Sequence, residues 1–399
     1  MASTWQSTIS MARRCSSRAA DLQQLAVACL LSLLSLAVAE RSSACPFCNA
    51  VLPTFCQSRE AAEVVALGEV VAAGDPLKIL VRNVLKGREH VQVGQEVAAP
   101  RVETLGSGAL CLLLGSAAAE LSKDEQPLSW TYRPVTETSY AYFARAPQLR
   151  VAAPERLRYF ARYLEHPDTS IAEDAYLEFG HAPFDVVAQA ADALPIEKIR
   201  RWIRDDNVPE ARKGFYGLAL GIPSEPAARA ANAQLLQRLV NEPDDDFRAG
   251  FGGILGGYLL AAGLPALELI EARYLSNPNA ADGDVRSALS ALRFYHEYGK
   301  EIPPQRLQES LRRLLQRPEF AAEAIVDLAR WQDWSAPEAI ARLYDAPARL
   351  QPGVRRAVVG YLTTSPTPAA ATELSKLRDR DSRGVSDAEA YLKAFGSLR

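Results

Sequence analysis

Cys45, Pro46, Phe47 and Cys48 have the plainest chemical possibilities in this 399-residue chain. Two thiols with two residues between them can cycle between dithiol and disulfide when one is acidified, as at a helix N-terminus. That chemistry also wants a strand before the motif, in a thioredoxin-like βαβ unit, and a cis-proline loop after it, and neither is legible here. Cys56 and Cys111 add two more thiols, so structural bonding is a competing use. A Cys56–Cys111 bond would close a loop of about 55 residues, worth ~4 kcal/mol by chain entropy, against ~2 kcal/mol for a Cys45–Cys48 ring. Metal binding is a third use of the same four residues. Haem attachment is excluded, because position 49 is Asn and not His.

The other constellations are weaker. His90, His166, His181 and His296 stand in no ligand spacing such as HExxH, so no catalytic zinc site is expected. Asn277, Asn279, Asp282, Gly283 and Asp284 resemble a calcium loop with its acids one residue out of register, and read better as a capped loop. No GxSxG pattern occurs and no nucleophile has a base partner, so no catalytic residue, metal or cofactor is assigned. Trp331 and Trp334, with Tyr295 and Tyr298, are the aromatic candidates for contact with a partner; tryptophans at a helix end also serve as core plugs. Gly250 to Gly257 hold five glycines inside a helical pattern, a concession of ~1 kcal/mol each against Ala. Neither GxGxxG nor GxxxxGK(S/T) can be read there and no strand precedes it. Close helix–helix contact across small residues is the favoured reading, and a partner-contacting helix the next.

Arg13, Arg14 and Arg18 precede an apolar run from Leu25 to Ala39, and Ala37-Val38-Ala39 offers a small-x-small cleavage site before Glu40. Residues 1–39 are therefore expected to be a signal peptide. The run is about 15 residues long, short of the ~20 needed to span a bilayer, which predicts cleavage and no transmembrane anchor afterwards. The mature chain is placed in the periplasm or outside the cell. It would carry about 42 basic and 47 acidic side chains. No segment concentrates Lys and Arg without interleaved acids, which argues against nucleic acid as a partner.

These residues are positioned by two kinds of element. Between 63 and 146 the period is that of strands: Val64–Val71, Leu77–Leu85, a third marked by Val91, Val93 and Val97 with Gly94 as a bulge, Ala109–Leu114 buried on both faces, and Ser139–Ala144. Five such strands suit a small closed barrel. The early cysteines followed by EVVALGEVV, VRNVLKG and GALCLLLG resemble the netrin/TIMP-like OB module over roughly residues 45–145. That resemblance implies an OB-like barrel tied by disulfides to the N-terminal cysteines. This chain has CxxC where that family shows CxC, so neither the family's pairing nor its inhibitory role is carried over.

From Pro154 onward the period is helical. Leu157, Phe160, Tyr163 and Leu164 share one face, as do Ile196, Ile199, Trp202 and Ile203. Ser170–Glu173, Asn207–Glu210 and Ser335–Glu338 resemble capping boxes. Asp244-Asp245-Asp246 suits a helix start. Helix-pair starts near 155, 184, 208, 244, 284, 319 and 351 recur every ~25–40 residues, as in stacked-helix repeats, a compact α-domain being the alternative. YLEHPDTSIAEDAYLEFGHAPFDVV, GYLLAAG and VDLARWQDW, with the early CPFC, resemble a group of exported bacterial proteins found notably among planctomycetes, over nearly the whole length. That resemblance implies a β-rich stretch followed by HEAT-like helices, and no activity.

The chain thus reads as an α+β multidomain protein. The segments are a signal peptide (1–39), a cysteine-containing segment (40–62), an OB-like β-barrel (63–146), a linker (147–153) and an α–α solenoid of degenerate HEAT-like repeats (154–399). Such arrays more often bind than catalyse, so the expected function is non-enzymatic binding or scaffolding, with a protein or cell-envelope polymer as partner. Thiol–disulfide exchange through Cys45 and Cys48 is the alternative. A third possibility is an enzyme with its site in the solenoid groove, as in the HEAT-like lyases that attach bilin pigments; export and the lack of a ligating cluster count against it.

Overall fold

The computed structural model describes Phe47 and residues 52–101, 105–117, 128–223, 225–242, 248–345 and 351–396. The expected signal peptide, Cys45, Cys48 and the Asp244–Asp246 run lie outside the described residues. Described elements begin with a short helix, α1 (Phe55–Ala61), opened by a reciprocal cap. Gln57 N–H donates to Thr54 Oγ1 and Thr54 N–H donates to Gln57 Oε1, which satisfies two of the end's orphan donors.

Five strands follow: β1 (Val64–Ala72), β2 (Leu77–Lys86), β3 (Glu96–Ala99), β4 (Leu110–Ala117) and β5 (Leu128–Pro134). They form one sheet in the order β3-β2-β1-β4-β5, with every neighbouring pair antiparallel. The sheet curls until β3 and β5 approach, but no ladder joins them. The result is a half-barrel and not the closed barrel expected. The four residues of β3 pair with β2 alone. The curl goes with the β1–β2 pairing, where Leu85 and Arg82 are extra residues on β2 and Val71 is one on β1, while the pairing of β1 with β4 runs unbroken. Irregularities of this kind bend a strand and increase its twist.

Two strand assignments need correction. The third strand starts only at Glu96: Val91 is buried just before it, Val93 is exposed, and Gly94, at φ +88°, shapes a turn and not a bulge. Ser139–Ala144 is no strand but part of the helix α2 (Glu137–Arg145), and the fifth strand is Leu128–Pro134. Thr136 and Ser139 form a reciprocal cap there, and burial of Tyr142 and Phe143 against other helices overrides their strand propensity.

The apolar run of β4 is buried on both faces, as its composition requires. Cys111 and Leu113 point into the half-barrel with Val64, Ile79, Val81 and Trp130. Leu112, like Val65 of β1, belongs instead to the core of the helices. Sheet and helices therefore share buried surface, and the described residues fall in one compact unit.

The helices continue as α3 (Ala153–Phe160), α4 (Thr169–Gly180), α5 (Phe184–Gln189), α6 (Ile196–Trp202), α7 (Glu210–Gly221), α8 (Pro226–Asn241), α9 (Phe251–Ala262) and α10 (Leu264–Ile270), extended by a π turn over Glu271–Leu275. Then come α11 (Asp282–Tyr298), α12 (Pro304–Arg312), α13 (Pro318–Arg330), α14 (Pro337–Arg342), α15 (Gln351–Thr364), α16 (Pro368–Arg380) and α17 (Ser382–Phe395). Pro226, Pro304, Pro318, Pro337 and Pro368 each stand at the first helical residue, where the missing N–H costs nothing and the fixed φ is already helical. The expected capping boxes fall at or near helix starts, yet different residues do the capping. Asp168, not Ser170, caps α4, while Pro209 and Ala336 occupy the cap positions of α7 and α14 without side-chain bonds. Asn277 Oδ1 accepts the Asn279 N–H, consistent with the capped-loop reading of that segment.

Alternate helices pack side by side: α7 on α9, α9 on α11, α13 on α15 and α15 on α17, with α14 on α16 in a second layer. Helices of the first layer begin at residues 210, 251, 282, 318, 351 and 382. Polar ties between helices run over similarly varied spacings, from Arg200–Asn232 through Arg293–Asp327 and Arg306–Glu271 to Arg286–Glu323 and Arg317–Asn277.

Candidate functional site

Helix α9 is where the sequence made its largest concession, and two of its glycines face α7 directly. A Cβ on Gly217 of α7 would lie 2.6 Å from Ile254 Cα and 2.9 Å from the Gly253 carbonyl oxygen. Side chains at Gly253 and Gly257 would in turn run into the backbone at Gly214 and Gly217. The two helices touch backbone to backbone, as close contact across small residues predicts. Gly250 has a different duty: at φ +80° it turns the chain into α9, and its neighbours would be the Glu210 carbonyl and Gly214 N–H at 2.7 Å.

Gly252 and Gly256 lie on another face, and there they meet Phe47. A Cβ on Gly252 would sit 2.8 Å from Phe47 Cε1, and one on Gly256 would sit 3.5 Å from Cε2. The Phe47 ring meets Phe294 of α11 edge-on, with centroids 5.5 Å apart at 69°. Phe184 meets Phe294 at 4.8 Å and 87°, and Tyr298 closes the group at 5.1 Å from Phe184. Leu218, Ile222 and Leu260 complete the apolar lining. Beside the ring opens a cleft of about 310 Å³ reaching Arg286, Ser287 and Ser290 on α11. Clefts of about 360 and 370 Å³ lie near Lys213 and near Tyr163. Volume does not separate the three; the seated aromatic ring does.

The same N-terminal region is fastened a second time, at α4. His181 Nε2 donates to the Leu52 carbonyl at 2.8 Å, and Phe55 N–H donates to Asp174 Oδ1 at 2.7 Å. Tyr142 O–H donates to the other oxygen of Asp174 at 2.8 Å. Burial pushes the Asp174 carboxyl up to about 6, and nearby Glu178 adds to the rise, against the two hydrogen bonds that favour its charge. Glu178, one turn along α4, is buried, with Oε1 unbonded. These two acids fall on the face of α4 that also buries Ile171 and Ala175. A polar pair inside an apolar stripe was the available sign of this junction, and the sequence reading did not use it.

Cys56 and Cys111 are free thiols. The Cys56–Cys111 bond considered from loop length does not form. Cys111 points into the half-barrel, whereas Cys56 is buried in the helix core on the opposite side of the sheet. Neither is primed for exchange. Burial, with Glu178 next, pushes the Cys56 thiol far up, and burial pushes Cys111 up to about 12. Cys56 Sγ donates to the Pro147 carbonyl at 3.1 Å.

The aromatic candidates do not converge. Tyr298 is half-buried beside the Phe47 notch, while Tyr295 is enclosed, its hydroxyl accepting the N–H groups of Glu301 and Ile302. Trp331 stacks on His296 at 4.2 Å and 3°, and Trp334 packs on Tyr361 at 5.1 Å. Both tryptophans are half-buried against the helix core, as plugs would be. Among the described residues no group of three His, Cys, Asp or Glu side chains is placed to hold a metal ion, and no helix is long and apolar enough to cross a membrane.

No family model matches this chain, and no curated protein matches it.

Proposed function

We propose that this is an exported, non-enzymatic binding protein. Its helical array, read as degenerate HEAT-like repeats, docks a protein or envelope partner, and its half-barrel, read as OB-like, braces the N-terminal end. One observation carries the docking role. The aromatic ring of Phe47, delivered by a distant segment of chain, is held on a face shared by α9 and α11. Holding a side chain delivered from elsewhere is what a docking surface must do. The HEAT-like reading is supported by the packing of alternate helices side by side in two layers. The OB-like reading is supported by a strand order in which β1 pairs with both β2 and β4 while β3 and β5 face one another.

The test uses the whole mature chain, because the sheet and the array share a core and cutting between them would bare Val65 and Leu112. A photo-crosslinking residue is placed at Ser287 or Ser290 on α11, or at Lys78 or Val93 on the half-barrel. One partner recurring from the α11 positions and missing from the half-barrel positions is the expected result. Capture from Lys78 or Val93 alone refutes the division of labour.

A further inference from the structure

Building on the docking role just proposed, we infer that the notch holding Phe47 is a recognition pocket for one aromatic side chain on an extended peptide of a partner protein, which Phe47 fills in cis until it is displaced. Contact with α7 accounts for Gly253 and Gly257, and chain reversal accounts for Gly250. Gly252 remains, and the first atoms a side chain there would meet are Cε1 and Cδ1 of Phe47, at 2.8 and 3.0 Å. Gly256 extends the same floor toward Leu218 and Phe294. Gly256 stands mid-helix, where a bare position costs ~1 kcal/mol, and Gly252 stands in the first turn of α9; the space beside both is occupied by the ring.

The walls specify what kind of side chain fits. Phe184 and Phe294 stand at 87° to one another, and Phe47 meets Phe294 at 69°. Edge-to-face geometry rewards an aromatic guest beyond its buried area. Charge is not the selector, because Arg248 is bound to Asp284 at 2.6 Å and Arg286 to Glu323 at 2.5 Å. The adjoining cleft of about 310 Å³ is at the small end of ligand-site sizes, suited to a few residues of extended chain and not to a folded surface. Ser287 and Ser290 on its wall can hydrogen-bond a peptide backbone.

A tethered occupant competes at an effective concentration on the order of millimolar. A peptide with a Kd of ~0.1 mM would therefore bind the native chain about tenfold more weakly than a chain whose own plug is removed. The probe is a fluorescein-labelled peptide of residues 44–54 carrying Cys45→Ser and Cys48→Ser, followed by anisotropy against the full mature chain. The expected result is binding to the Phe47→Ala chain, about tenfold or more weaker binding to the native chain, and none by a peptide that itself carries Phe47→Ala. The double variant Phe47→Ala/Gly252→Val, with its floor filled, should not bind while melting close to the single variant. Equal affinity for the native and Phe47→Ala chains, no affinity for either, or indifference to the peptide's Phe overturns the proposal. So does a native chain that dimerises by exchanging Phe47 between copies. If the partner crosslinked at Ser290 is still captured by the double variant, the notch is refuted and the docking role stands. If no α11 position captures anything, the docking role itself fails.

Discussion

Asp174 gives the sharpest test of how the N-terminal helix is fastened to the array. Its carboxylate accepts the Phe55 N–H and the Tyr142 hydroxyl while almost wholly buried, and burial raises its pKa from 3.8 to about 6. A rise of roughly two units is worth about 3 kcal/mol, at ~1.36 kcal/mol per unit. In the open state the group returns to its ordinary value, so at pH 5 the closed state holds a proton that the open state has lost. The junction's stability from this group is therefore complete below about pH 4 and lost as pH rises through about 6. In Asp174→Asn the side-chain oxygen can still accept the Phe55 N–H, and nothing titrates. Hydrogen exchange of the α1 amides, corrected for intrinsic rates and followed from pH 4 to 7, reads the opening free energy locally. Relative to the variant, the native chain should lose about 3 kcal/mol of protection across that window, on the order of 100-fold. A difference that stays flat, or that grows in favour of the native chain as pH rises, would refute both the buried state of Asp174 and the fastening built on it.

Gly257→Ala should destabilise the chain by roughly 2–3 kcal/mol in urea melts, because the new methyl lands on the α7 backbone at Gly217. Gly353→Ala in the first turn of α15, where a Cβ meets nothing within 4 Å among the described residues, should instead stabilise by about 0.4–1 kcal/mol. Alkylation of the native protein followed by peptide mapping should leave Cys56 and Cys111 unmodified and unbonded to each other, both reacting once the chain is unfolded; a Cys56–Cys111 peptide would contradict the two-core arrangement. For Glu271, burial pushes the carboxyl up, but Arg306, Ser310 and Arg313 outweigh it and hold it below the usual range. Its contribution is thus present at neutral pH and lost in acid. Arg306→Ala should cost roughly 3 kcal/mol at pH 7 and less near pH 3, with Arg313 Nε, 3.3 Å away, limiting the loss.

The helices were legible because their signals are local. Prolines at N1 mark starts wherever the rest of the chain lies, and the five glycines at 250–257 announced a close approach before its partner was known. Capping was less legible, since Asp168 and Ser170 compete for one helix start and only the loop's path decides between them. Ser139–Ala144 was misread because Tyr140, Tyr142 and Phe143 favour strands in isolation, while the cap from Thr136 and two buried rings favour a helix in context. Loop length made a Cys56–Cys111 bond attractive, but loop length says nothing about which side of a sheet a thiol faces.

Taken alone, the sequence determined the helical period from Pro154 onward and most of the strand period before it, because propensity, proline geometry and small-residue patterns act over a few neighbouring residues. It also determined that the β4 segment would be covered on both faces, since a run so apolar tolerates no wet side. Only the tertiary structure decided which side of the sheet each thiol occupies, that β3 and β5 stop short of a ladder, and that Phe47 lies on Gly252 of α9. Those outcomes depend on contacts between residues up to about 250 positions apart, such as Phe47 and Phe294, and no local pattern encodes them.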